Sequence, residues 1–269
     1  MDNTGRMSGT INKQWFLYQE KEVFQDKRQK KLILGIPNEL EKGENRICLT
    51  PESVHILVSM GHEVIQRGAG NNAYYGDTEY ADAGAMIVET LGEVYTADVV
   101  LKATSVSAGD TVYMHDRQVI LSPLKLCDMR KDAITEMMQK KVTAVGFDIL
   151  KDGEGYYPVV RIMSEIAGNS AIMIASEYLN NSRGGKGIVL GGISGITPAE
   201  IVILGAGTLG EFAARAALGL GATVKIFDHS VERLRKLNEV LGQRVFTSVF
   251  HKPVLDKALA SADVLIGAM

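Results

Sequence analysis

The sequence predicts an α/β protein made of two doubly wound parallel-sheet domains with a cleft between them, the second incomplete at its C-terminus. Three observations carry that expectation. Short β-branched runs alternate with helical stretches from Lys31 onward, a Gly-dense run divides two such blocks, and the second block opens as strand, glycine turn and helix. A chain of 269 residues, 46% hydrophobic and 23% charged, is long enough to bury two cores and too mixed to be disordered or fibrous.

Residues 1–30 have no strand period and run into the charged stretch Asp26-Lys27-Arg28-Gln29-Lys30-Lys31, so they read as an N-terminal extension. The first domain spans 31–162. Its strands are expected at Leu32–Ile36, Glu63–Gln66, Ala85–Val88, Asp98–Leu101, Val119–Leu121 and Thr143–Phe147. Pro51–Met60, with Thr50 as N-cap, and Asp128–Lys140, with Met129, Ile134, Met137 and Met138 apolar, read as helices. Such alternation implies parallel pairing through right-handed crossovers. The second domain spans 163–269. It begins with the Ala-rich helix Ser164–Leu179, followed by the Gly-dense run Arg183–Gly195, a natural place for the chain to cross.

Next comes the most legible stretch. Glu200–Leu204 is a strand, Gly205-Ala206-Gly207-Thr208-Leu209-Gly210 a turn, Glu211–Leu220 a helix and Thr223–Phe227 a second strand that ends at Asp228. A G-x-G-x-x-G run after a strand, opening a helix and answered by an acid 18 residues after Gly210, is the full context of a dinucleotide-binding Rossmann unit. Gly205 permits the tight turn, Gly207 lets backbone (with Ala206) approach a pyrophosphate, and Gly210 lets helix and strand pack closely. The helix N-terminus offers unpaired N–H groups to the phosphates. Asp228 would accept hydrogen bonds from both ribose hydroxyls and repel a 2′-phosphate, which favours NAD(H); Arg233, on the Ser230–Leu241 helix, weighs slightly the other way, as a side chain that would face an adenosine phosphate unless it is simply solvated.

Beyond Asp228 the pattern continues as helix (Val231–Leu241), strand (Arg244–Val249), helix (Pro253–Ala260) and the apolar strand Asp263–Met269. In the strand order 3-2-1-4-5-6 that last strand is the fourth, and ending on it would leave an apolar edge, so a longer natural chain is expected. Composition excludes other classes. Twenty-nine basic against 32 acidic residues, a formal charge of -3, provide no global field for nucleic acid. No apolar run approaches the roughly 20 residues of a membrane span, so direct membrane insertion is not expected. Cys48 and Cys127 form neither a disulfide framework nor a metal-ligand spacing, which points to a reducing, cytoplasmic setting without a metal.

A family resemblance then emerges from five segments taken in order. They are Gly35-Ile36-Pro37-Asn38-Glu39; Glu44-Asn45-Arg46-Ile47-Cys48-Leu49-Thr50-Pro51; Gly61-His62-Glu63-Val64 with Gly68-Ala69-Gly70; Met163-Ser164-Glu165-Ile166-Ala167-Gly168; and Gly184-Gly185-Lys186-Gly187 with Leu190-Gly191-Gly192. Their order resembles the alanine dehydrogenase family, of which the nicotinamide transhydrogenase alpha subunit is a near relative, from about Lys31 to Met269. The resemblance implies NAD-dependent oxidative deamination of L-alanine to pyruvate and ammonium. It makes the first domain the substrate domain for a small amino acid or 2-oxo acid, and it implies a homo-oligomer. By position Arg46 would hold the substrate carboxylate, a task suited to a guanidinium fork. Ser164, Gly205, Gly207, Asp228 and Arg233 would line the cofactor cleft; Ser164 also reads as a helix N-cap.

Two positions depart from the family pattern. Where a Lys-x-Lys-Glu-Pro run is expected, the chain reads Lys102-Ala103-Thr104-Ser105-Val106, so Lys102 is kept and the substrate-contacting lysine becomes Thr104. Where the acid-base histidine is expected, Ser122-Pro123-Leu124-Lys125-Leu126 offers Lys125. A lysine performs acid-base work when burial or a cationic neighbour lowers its pKa from about 10.4. Lys125 and Lys102 are therefore the candidate catalytic residues. The alternatives are an NAD(H)-binding module like the transhydrogenase alpha subunit, without amino-acid chemistry, and a saccharopine-type amino-acid dehydrogenase.

Overall fold

The computed structural model describes residues 32–39, 43–59 and 63–269. The extension at 1–30 and the motif residues Gly61 and His62 lie outside the described residues. The chain divides into two compact units, Met1–Val145 and Gly146–Met269.

In the first unit, strands β1 (Ile33–Ile36), β2 (Glu63–Gln66), β3 (Val99–Leu101), β4 (Val119–Ser122) and β5 (Thr143–Gly146) form one sheet in the order β2-β1-β3-β4-β5. Leu34 lies opposite Val64 and Val99, and Val100 opposite Ile120, in parallel register. Helices α1 (Pro51–Ser59), α2 (Asp77–Asp82), α3 (Leu91–Val94), α4 (Ala108–Thr111) and α5 (Lys131–Gln139) connect the strands. The pleat sends Val100 and Ile120 to a cluster with Tyr95, Met114 and Met137, and Leu101 to a second one around Ile36, Val54 and Tyr80. Both faces of the sheet are thereby covered.

Two expectations in this unit need correction. Ala85–Val88 is no strand. The chain leaves α2 through Gly84 at φ +96°, makes a single bridge in which Gln66 N–H donates to Met86 O at 3.0 Å, and turns into the Thr90 cap of α3. Helix α5 starts at Lys131 rather than Asp128, because the Asp128 N–H closes a turn on Lys125 O at 2.8 Å.

The second unit holds α6 (Pro158–Leu179), β6 (Glu200–Leu204), α7 (Thr208–Gly219), β7 (Thr223–Phe227), α8 (Val231–Leu241), β8 (Phe246–Ser248), α9 (Lys252–Ser261) and β9 (Val264–Gly267). Its parallel sheet runs β8-β7-β6-β9, the expected 3-2-1-4 order. Ile201, Ile203 and Ile226 pack with Ala213, Ala214 and Ala217 of α7, whereas Val202 and Phe227 pack with Ala258 of α9, so this sheet too is covered on both faces. Helix α6 begins well before Ser164. Tyr157 is its N-cap and Pro158, which has no N–H to satisfy, opens the first turn, so Ser164 is mid-helix and not a cap. At Gly168, α6 crosses α7 so closely that a Cβ would lie 2.5 Å from Leu209 O and 2.9 Å from Ala213 N.

Candidate functional site

The nucleotide-type site is built from backbone. Gly205 sits at φ +116°, a conformation glycine adopts freely, its N–H donates to Phe227 O at 2.7 Å, and any Cβ there would collide with Ala268 O. A Cβ on Gly210 would strike Gly205 O, so the helix leaves the turn only because both positions are bare. Gly207 differs: nothing lies within 4 Å of its missing Cβ, which leaves the turn open to an approaching ligand. Asp228 is only 5% exposed; its Oδ2 accepts from Ala206 N–H and its Oδ1 from Ser230 N–H, both at 2.7 Å. Burial pushes this carboxyl upward, but the two N–H groups, Arg233 and His229 outweigh that and hold it below the usual carboxylate value. Arg233 Nη1 stands 3.9 Å from Asp228 Oδ2. Ser164, Ala206, Gly207 and Arg233 line one cavity of about 800 Å³, while Gly205 and Gly210 shape the turn behind it. Hydrogen-bonding backbone, an open Gly207 and a carboxylate held low in pKa together fit a dinucleotide.

The first unit's candidate residues follow the carboxyl ends of its strands. Lys102, 6% exposed, follows β3 and donates from Nζ to Asp110 Oδ2 at 2.9 Å. Asp110 also accepts from Tyr95 Oη at 3.0 Å and from Ser107 N at 2.7 Å. Burial pushes the Asp110 carboxyl up, and Lys102 and Ser107 more than offset it, so it is held below its ordinary value. Lys102 is thus held in place by its partner.

Next to it, the Ala103 N–H and the Thr104 N–H and hydroxyl all donate to the Glu39 carboxylate, so Thr104 is turned inward onto an acid. Arg46 is forked onto Glu44, Nε to Oε1 at 2.8 Å and Nη2 to Oε2 at 2.6 Å, and its side chain is half exposed. Lys125, beyond β4, is exposed and holds φ +42°. With Ser105 it lines a cavity of about 200 Å³, and the buried Ser105 Oγ has no hydrogen-bond partner among the described residues. Cys48 is no nucleophile: burial pushes its thiol up to about 12.

Sequence reasoning missed the acids. Glu39, Glu44 and Asp110 each claim a residue assigned to substrate or to the altered loop. For Asp110 a signal existed, since Ser107-x-x-Asp110 is a capping box whose carboxylate then reaches Lys102. Among the described residues no helix is long and apolar enough to cross a membrane.

Comparison with known proteins shows what the chain resembles. The alanine dehydrogenase/PNT N-terminal domain matches residues 35–167 and the corresponding C-terminal domain residues 171–269. An alanine dehydrogenase of Methanococcus maripaludis is 35% identical over 240 residues, 88% of this chain and 64% of the relative. That of Bacillus subtilis is 34% identical over 239 residues, again 88% of this chain and 63% of the relative. A solved L-alanine dehydrogenase superposes with a TM-score of 0.81 at 33% identity, covering 88% of this chain and 66% of that one. A transhydrogenase from Sinorhizobium meliloti shares the fold, with a TM-score of 0.74 at 24% identity over 87% of this chain and 69% of its own. The chain spans about 64% of the length of the curated relatives it matches.

Proposed function

The chain belongs to the alanine dehydrogenase/PNT family, and from that premise we propose that it interconverts L-alanine, NAD⁺ and water with pyruvate, ammonium, NADH and a proton. The observation that carries this reading is Asp228, a buried, ionised carboxylate hydrogen-bonded to the glycine turn beside the open face of Gly207. A carboxylate there accepts ribose hydroxyls and repels a 2′-phosphate, so NAD(H) is the cofactor of choice over NADP(H). Bound NAD⁺ supplies a hydride acceptor.

The protein's residues supply the rest. Arg46 holds the substrate carboxylate by exchanging Glu44 for it, since the same fork serves either acid. Lys102, paired with Asp110, places a fixed positive charge at the end of β3. Proton transfer to and from the substrate nitrogen falls to Lys125, the candidate whose amine has no carboxylate partner among the described residues. Two free cysteines suit a reducing, cytoplasmic setting, and a homo-oligomer is the assembly we favour on the family resemblance.

A second reading is favoured by one observation. Thr104, at the position of the expected substrate lysine, is spent on Glu39. This suits an NAD(H)-binding module without amino-acid chemistry. NADH oxidation by the protein in its natural full length, with pyruvate plus ammonium and with each omitted in turn, separates the two. Turnover that needs both co-substrates, and its loss in Lys125→Ala, is the expected result; NADH binding without consumption would establish the module instead.

A further inference from the structure

The Gly68-Ala69-Gly70 segment after β2 has a task that reaches Arg46. A Cβ on Gly70 would lie 2.6 Å from the Tyr80 ring and 2.7 Å from Tyr75 O, so a bare position there leaves room for Tyr80. Gly68 donates its N–H to Asp77 Oδ1 at 2.7 Å, which ties the start of α2 to the end of β2. The Tyr75 ring meets the Tyr80 ring edge-on, with centroids 6.3 Å apart. Tyr80 is thereby fully buried, in a cluster with Ile36, Val54, Ala69 and Ala85. Its hydroxyl donates to Leu49 O at 2.9 Å, across 31 positions of sequence. Leu49 belongs to the stretch Glu44–Thr50, which carries Arg46 and has neither helix nor strand before α1. Thr50 O accepts the first helical N–H, from Val54 at 2.9 Å, so the chain enters α1 one residue after the Tyr80 bond. On the other side of Arg46, Asn72 Nδ2 donates to Glu44 O at 3.4 Å. The segment from Gly68 to Tyr80 therefore clasps the Arg46 loop at two backbone carbonyls, one on each side of the arginine.

We propose that Tyr80 is a positioning residue for the substrate: its hydroxyl fixes the Glu44–Thr50 backbone and so aims the Arg46 guanidinium at a substrate carboxylate. The Arg46 side chain is half exposed and long, and a loop left free would have to be ordered each time a substrate bound. Holding the backbone beforehand removes that cost and leaves only the side chain to settle. A phenyl ring would fill the same space in the Ile36 and Val54 cluster, so the hydroxyl is the atom that distinguishes clasping from packing. The aim at substrate rests on the role given to Arg46 above, whereas the clasp on the loop does not.

The test is Tyr80→Phe in the protein at its natural full length, read in two ways. Trypsin cleavage after Arg46, identified by mass spectrometry, reports the freedom of the loop without reference to any reaction, and cleavage after the exposed Arg117 is the internal reference. Loss of one hydrogen bond should speed cleavage after Arg46 about 2- to 10-fold relative to Arg117 and raise the pyruvate KM by a similar factor, with kcat and the NADH KM changed by less than about twofold. Asn72→Asp, at the exposed end of the clasp, should move the same two quantities in the same direction by less, and it stands in should Tyr80→Phe fail to fold. Faster cleavage in a protein that does not consume NADH with pyruvate and ammonium would uphold the clasp and sink the substrate reading. Unchanged cleavage after Arg46, or faster cleavage with an unchanged pyruvate KM in an active enzyme, would overturn the proposal.

Discussion

The two units build their sites from different materials. The second presents backbone: a glycine turn, N–H groups and one carboxylate pinned by Ala206 and Ser230. The first presents side chains cross-braced against each other, Lys102 with Asp110 and Tyr95, Thr104 with Glu39, Arg46 with Glu44. A backbone site tolerates exchange of most side chains but fails when a Cβ is added. A braced site tolerates added atoms at its rim but fails when one partner is removed, because the other is left charged and alone.

That contrast can be broken at four points, taken in descending size of effect. Lys102→Ala strands Asp110 in a buried setting and should destabilise the first unit by about 3–5 kcal/mol in urea unfolding. A loss below about 1 kcal/mol would mean that the pair is not a brace. Asp228→Ala removes a charged acceptor worth about 1.5–3 kcal/mol, so NADH affinity by fluorescence titration should fall about 10- to 100-fold with little change in fold. Unchanged affinity would move the ribose site elsewhere.

Acid sharpens the comparison. Asp110 has a depressed folded pKa, so its contribution is complete above the unfolded value of about 3.9 and is lost as pH falls through the lower folded value. The unfolding midpoint should therefore drop below about pH 4, and the slope should flatten in Asp110→Asn. An identical slope in that variant would assign the acid loss to other carboxylates. The smallest effect belongs to Glu44→Ala, which breaks a pair whose Arg46 side is half exposed, worth about 0–1 kcal/mol. It should leave stability nearly unchanged while lowering the KM for pyruvate by releasing Arg46. A raised KM would show that Glu44 aims the guanidinium instead of competing for it.

Legibility in the sequence follows the same division. The Gly205 turn, β6, β7 and the 3-2-1-4 order could be read because their requirements are local, with spacings fixed by one strand and one helix. The start of α6 was misread because the residue preceding Pro158, Tyr157, carries no capping side chain, and Ser164 looked like one. The acids opposite Lys102 and Thr104 were not legible as partners. Glu39 reaches Thr104 across 65 positions, and only the fold brings such residues together. In the first unit the sequence names the candidate side chains, and the structure shows to whom they are already committed.

Lys125 closes the account in terms of selection. A left-handed backbone at φ +42° costs a lysine about 1 kcal/mol or more that a glycine would not incur. If the residue served only the turn after β4, Lys125→Gly would simply improve the protein. A library screened for heat tolerance alone should therefore drift towards glycine at this position, and one screened for turnover should hold the lysine against that drift.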